Sequence, residues 1–204
     1  MKASKLGGFL LLLGGATILI TIYFEYRIGW IGTRRPQEEV PLFIYKNWRD
    51  LELIWGWQTF SHALFTMAYL LLLKSSEGIK SLIWAVLFLC GLLDFIAMGI
   101  TLGSYYPALE VYREQPELFQ TLAGAIKILY RTGQYGSVAL LLVFCLEVFG
   151  KDGVLTRSLG WSILGIVIVP IAVGAIINFP IKVIGALWFL LPMVLGYSYW
   201  KNQE

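Results

Sequence analysis

The chain has 204 residues, of which 58% are hydrophobic and only 14% are charged. A soluble domain is usually about half apolar and a quarter charged, so this composition, with a mean hydropathy of +0.71, indicates an integral membrane protein surrounded by lipids. The net charge of +3 is small and dispersed along the chain, which argues against a nucleic-acid partner.

The apolar runs, taken in chain order, predict an all-α polytopic helix bundle with about six transmembrane helices. The predicted spans are residues 6–24, 51–73, 81–103, 118–149, 159–178 and 181–200. Many Trp and Tyr residues fall at the ends of these runs, which is typical of the headgroup level of a bilayer. We expect residues 1–204 to form a single membrane domain, because the longest polar connection, 25–50, is too short to fold alone.

The first apolar run follows two lysines, a pattern shared by signal peptides and by retained first spans. The run is long, no A-x-A-like cleavage site follows it, and Glu25 begins an interfacial boundary. We therefore predict a retained first span. Because Lys2 and Lys5 precede it, we expect both termini on the cytoplasmic side of a bacterial inner membrane, although the basic residues divide evenly between the two sides.

Polar side chains within the predicted spans are the main lead to function, since ionisable groups are costly in a bilayer and are usually paired or functional. They are Glu52, His62, Asp94, Lys127, Arg131 and Gln134. His62 lies about 16 Å and Asp94 about 20 Å from the inner ends of their helices. The spacing predicts a polar layer that opens outward, with Glu52 and Lys127 at its mouth, Arg131 and Gln134 on its wall, and Asp94 and His62 on its floor.

Each of these residues also has a structural interpretation. Asp94 could form a salt bridge with Arg131, and His62 could be a hydrogen-bonded core histidine. Lys127 and Arg131 could extend to the outer headgroups. Glu147, near the inner end of the fourth span, is expected to be solvated.

Three functions fit this pattern. The first is binding or moving a small polar, anionic or amphiphilic ligand, with Arg131 and Lys127 favouring an anionic group. The second is an accessory or structural subunit of a membrane complex. The third is a membrane enzyme, isomerase-like or cyclase-like, in which Asp94 and His62 act as an acid/base pair on a lipophilic substrate. No complete catalytic motif selects among them.

The sequence predicts no metal and no cofactor. A single histidine excludes a bis-histidine haem, and Cys90 and Cys145 form no C-x-x-C pair. The expected partners are membrane lipids, a small-molecule ligand, and either further copies of the chain or other subunits. Gly99 and Gly103 form a GxxxG spacing that permits close helix approach.

Overall fold

The computed structural model describes residues 2–176 and 185–201 of the chain. Within these ranges the structure is all-helical and has no strand, as predicted. The helices are α1 (Ala3–Arg27), α2 (Val40–Lys46), α3 (Trp48–Lys74), α4 (Gly78–Glu110), α5 (Pro116–Gly133), α6 (Tyr135–Phe149), α7 (Arg157–Ile176) and α8 (Leu190–Lys201). Short 3-10 turns, Gln37–Glu39 and Gly185–Phe189, precede α2 and α8.

Four stretches are long and apolar enough to cross a membrane: α1, α4, α5 with α6, and Arg157–Gly174 of α7. Helix α3 has the length, but Gln58, Ser61 and His62 lower its hydropathy. The last predicted span, 181–200, lies partly outside the described residues. Six crossings, and the sides of the termini, therefore stay predictions.

The order of packing explains why α3 tolerates polar residues. Helix α3 lies between α1 and α4, and α1 lies between α3 and α8. On the other side, α4 packs on α5 and α6, and α6 also contacts α7 and α8. Because both neighbours of α3 are long apolar helices, much of its surface faces protein, where polar groups can be hydrogen-bonded.

Close contact between α1 and α8 depends on glycine. A side-chain carbon built on Gly8 would lie 2.6 Å from the carbonyl oxygen of Gly196, a distance that real side chains do not reach. Near the same point Gly8 also meets Tyr199, so the start of α1 contacts the end of α8. By contrast, Gly99 and Gly103 of α4 face open space, so this predicted GxxxG contact is not used among the described helices.

Two apolar cores lie along the bundle. One core, which we name the inner core after the predicted orientation, contains Leu11, Phe65, Leu72, Trp84, Leu87, Leu140, Val143, Phe144, Leu191 and Tyr199, among others. The outer core contains Ile44, Leu51, Ile54, Trp55, Met98, Ala108, Leu109 and Phe119. On each of α3, α4 and the α5–α6 pair, the residues between the two cores include polar ones. The bundle thus has a polar level between two apolar levels.

The predicted fourth span, 118–149, coincides with the stretch Pro116–Phe149, which is long and apolar enough to cross a membrane; a single-residue turn at Gln134 separates α5 from α6. Another predicted boundary was wrong. Residues 104–117 were predicted as a connection because of Pro107 and Pro116, but α4 continues through Pro107 to Glu110. A proline removes one helix hydrogen bond. Here the helix continues because Ala108 and Leu109, just after Pro107, are buried in the outer core.

Candidate functional site

Asp94 lies at the polar level, opposite the junction of α5 and α6. It is the seventeenth residue of α4, about 24 Å from the start of that helix. Helix α5 presents Gly133 to it, so closely that any larger side chain at position 133 would overlap the carboxylate. Gly136, in the first turn of α6, lies against Cys90 in the same way. Two glycines thus let the α5–α6 pair approach the face of α4 that carries Asp94.

A cavity of about 180 Å³ opens beside this contact. Its volume corresponds to about six water molecules at the density of the liquid. Four elements contribute to it: α3, α4, the α5–α6 junction, and the turn that leads into α8. The described residues that line it are Phe65, Tyr69, Leu87, Cys90, Gly91, Asp94, Gly133, Gln134, Gly136, Ser137, Leu140, Trp188, Phe189 and Pro192.

Polar groups of three kinds border the cavity. Asp94 supplies a carboxylate, and Gln134 and Ser137 supply an amide and a hydroxyl. The indole nitrogen Nε1 of Trp188 is buried and has no hydrogen-bond partner in the part of the chain that the structure describes. A buried donor without a partner costs free energy, and because this nitrogen has almost no exposed surface, it lies against protein atoms and not against the open cavity.

The six predicted site residues do not form one layer. Asp94 and Gln134 line the same cavity. Glu52 lies instead on an open groove of about 1060 Å³ along α3, beside Arg49 and Trp57. The other members are placed as follows: Lys127 and Arg131 are exposed on α5, and His62 is half-buried with its ring 6.4 Å from that of Phe65. The ligand-binding role of these residues stays a prediction.

The predicted salt bridge between Asp94 and Arg131 is absent. Among the described residues, Lys80 and Glu147 form the one ion pair. The reason is helical geometry: α5 points Gly133 at Asp94, and a residue two positions earlier points to a different side of the helix. Arg131 consequently lies on the exposed face together with Lys127.

Glu147 is the most enclosed charge in the bundle, and the expectation that it is solvated was wrong. Its side chain is 1% exposed. Lys80 Nζ lies 2.9 Å from Oε1, the Tyr199 hydroxyl donates to the same oxygen at 2.6 Å, and the Val154 amide donates to Oε2 at 3.0 Å. One carboxylate therefore joins α4, α6, α8 and the α6–α7 turn.

Glu25 is a second carboxylate that the sequence placed wrongly. It was taken as an interfacial boundary, but it is only 7% exposed. The indole of Trp55 donates a hydrogen bond to Glu25 Oε1 at 2.9 Å. Trp55 is also surrounded by the rings of Trp30, Trp48 and Tyr105. This contact fastens the end of α1 to α3 within the outer core.

No protein-family model, curated protein or solved structure matches this chain. The chemistry of the site must therefore be argued from its own groups. Within the described ranges, no three residues of the types His, Cys, Asp and Glu are grouped so that they could hold a metal ion. The Asp94 cavity combines one carboxylate, neutral polar groups and aromatic walls, which is an arrangement suited to reversible binding.

Proposed function

We propose that this chain is a multi-pass protein of a bacterial inner membrane that binds a small polar ligand in the Asp94 cavity. The observation that carries the proposal is a carboxylate within a helix long and apolar enough to cross a membrane, facing a cavity and without a cationic partner among the described residues. Such a group must be protonated, hydrated or paired with a ligand.

The surroundings of the cavity support binding over a purely structural role. Glu147 shows what a structural carboxylate looks like in this bundle, with a cation and two hydrogen-bond donors around it. Asp94 has Gly133 against it and open volume beside it.

Native mass spectrometry tests this proposal on protein extracted gently from its own membrane. We expect the wild-type chain to retain a small molecule and the Asp94→Asn variant to lose it. Glu114→Gln is the matched control, because Glu114 is an exposed carboxylate between α4 and α5 that does not line the cavity. A chain that carries no small molecule, or one retained equally by Asp94→Asn, would contradict the proposal.

The accessory-subunit function is a second candidate, because α5 has a polar exposed face. Gln120, Lys127 and Arg131 lie on this face, whereas Phe119 and Ile126 face the bundle. Another copy of the chain or a different subunit could cover the face. If the extracted protein carries other subunits and no small molecule, this function replaces the first.

The enzyme function has less support. An acid/base pair needs both groups within reach of one substrate atom. Asp94 lines the cavity and His62 is not among the residues that do.

A further inference from the structure

We infer that the Asp94 cavity is built for a small organic ammonium cation and not for an anion. This inference rests on the proposed binding function and names its ligand class. The first observation is that four aromatic side chains, Phe65, Tyr69, Trp188 and Phe189, line the cavity. The ring of Phe65 lies 6.1 Å from that of Tyr69 and 6.3 Å from that of Phe189, both stacked. Phe65 is thus flanked by two nearly parallel rings, and the lining of the cavity is largely aromatic, a kind of surface that attracts ammonium groups.

The second observation is the sign of the charge. Asp94 carries the one carboxylate of the described lining residues, and no Lys, Arg or His is among them. Lys127 and Arg131, which led the sequence to predict an anion, are exposed on the outer side of α5. A carboxylate and aromatic rings both favour positive charge, and their attraction is strengthened where water is scarce.

The third observation concerns size and polarity. A cavity of about 180 Å³ has room for a small cation with a few methyl groups. Gln134 and Ser137 border it and can bond a hydroxyl group. A short hydroxyalkyl ammonium ion offers its positive charge to Asp94 and its hydroxyl to Gln134 or Ser137.

Choline chloride and its uncharged carbon isostere, 3,3-dimethyl-1-butanol, test the inference by isothermal titration on the purified full chain in detergent. The two probes have the same shape and the same hydroxyl, so they differ in charge alone. We expect choline to bind at least about tenfold more tightly than the isostere. Sodium acetate should give no heat of binding.

Variants assign the binding to this cavity. Asp94→Asn should reduce choline affinity by about tenfold or more and remove the preference over the isostere. Trp188→Leu should reduce it by about threefold to tenfold. Glu114→Gln, at an exposed carboxylate between α4 and α5, should leave it unchanged. Because the comparison of choline with its isostere uses the wild-type chain, the inference stays testable even if a variant does not fold.

Three results would overturn the inference. Equal binding of both probes, lost on Trp188→Leu, would leave the binding function intact and remove the charge argument. No binding of either probe, together with no retained molecule in mass spectrometry, would remove both. Lys182 lies outside the described residues, so a Lys182→Met variant tests whether that lysine neutralises Asp94. Choline binding seen only in this variant would show that it does, and that the cavity of the wild-type chain is not a cation site.

Discussion

Asp94 and Glu147 are carboxylates on neighbouring helices, and their surroundings give them different roles. Glu147 is neutralised by Lys80 and accepts two further hydrogen bonds, so it stabilises the fold. Asp94 faces Gly133 and a cavity, and it has no cationic partner among the described residues. A buried charge with a full set of partners is structural, and one that lacks them is a candidate for function.

Glu147→Gln tests the structural role. The substitution keeps the shape of the side chain and removes its charge, which leaves Lys80 without its anion. Breaking a buried pair by changing one partner is strongly destabilising. We expect the free energy of unfolding to fall by about 2–4 kcal/mol. This is at the low end for a broken buried ion pair, because the Lys80 side chain is 25% exposed. Thermal unfolding in detergent measures it, with Glu52→Gln as the control. An unfolding temperature equal to that of the control would contradict the structural role.

Gly133→Ala tests the contact that positions Asp94. The added methyl group overlaps the carboxylate, so Asp94 or α5 must shift. We expect the free energy of unfolding to fall by about 1–3 kcal/mol, which is typical of overpacking, and the affinity for choline to weaken. Gly124→Ala on the same helix meets open space and should be neutral or slightly stabilising, because alanine favours helix. If both variants behave alike in unfolding and titration, the contact has no role.

The sequence identified Asp94 and Gln134 as polar residues within spans, and the structure places both at one cavity. It could not give the partners of Glu147, since Lys80 and Tyr199 come from distant helices. The burial of Glu147 did have a signal: an acid within the apolar run from Val138 to Phe149. Which residues contact Glu147 depends on how each helix is rotated and packed, and a hydropathy pattern carries no information about either.

At the scale of helices, the hydropathy pattern predicted where helices occur better than it predicted where they turn or end. The predicted first, second and third spans each coincide with a single helix, α1, α3 and α4. The single-residue turn at Gln134 has no mark in the sequence, because Gln134 keeps helical dihedral angles and no proline stands there. The continuation of α4 through Pro107 was missed for the opposite reason, since a proline is present but burial of Ala108 and Leu109 in the outer core outweighs it.

The pairing of α1 with α8 gives a prediction at this scale. Gly196→Leu should separate the two helices, because a side chain there would meet the backbone of Gly8 and Leu12. We expect a loss of about 3 kcal/mol or more, seen as a large drop in unfolding temperature. Gly99→Leu is the matched control, as Gly99 faces open space on α4. A larger effect at Gly99 than at Gly196 would show that α4 uses its GxxxG face for association.

At the scale of the whole molecule, two apolar cores enclose a polar level. The inner end is closed by the contacts of Glu147 with Lys80 and Tyr199. The outer end is closed by the aromatic contacts around Trp55. The cavity beside Asp94 thus lies between two packed ends and is only partly enclosed.

The orientation of this bundle gives the last prediction. Lys80 Nζ lies 3.4 Å from the carbonyl oxygen of Asp152, so the α3–α4 turn and the α6–α7 turn share one end. The test uses a chain in which Cys90 and Cys145 are replaced by alanine and one new cysteine is introduced at a time. The variants Ser76→Cys and Asp152→Cys should react with a membrane-impermeant maleimide only when the inner membrane is also permeabilised. The variants Arg34→Cys and Glu114→Cys should react in cells whose outer membrane alone is opened. The reverse pattern would show that the bundle has the opposite orientation, in which Asp94 is reached from the cytoplasm. If the cysteines at positions 76 and 152 reacted from opposite sides of the membrane, the two turns could not share one end and this packing would be excluded.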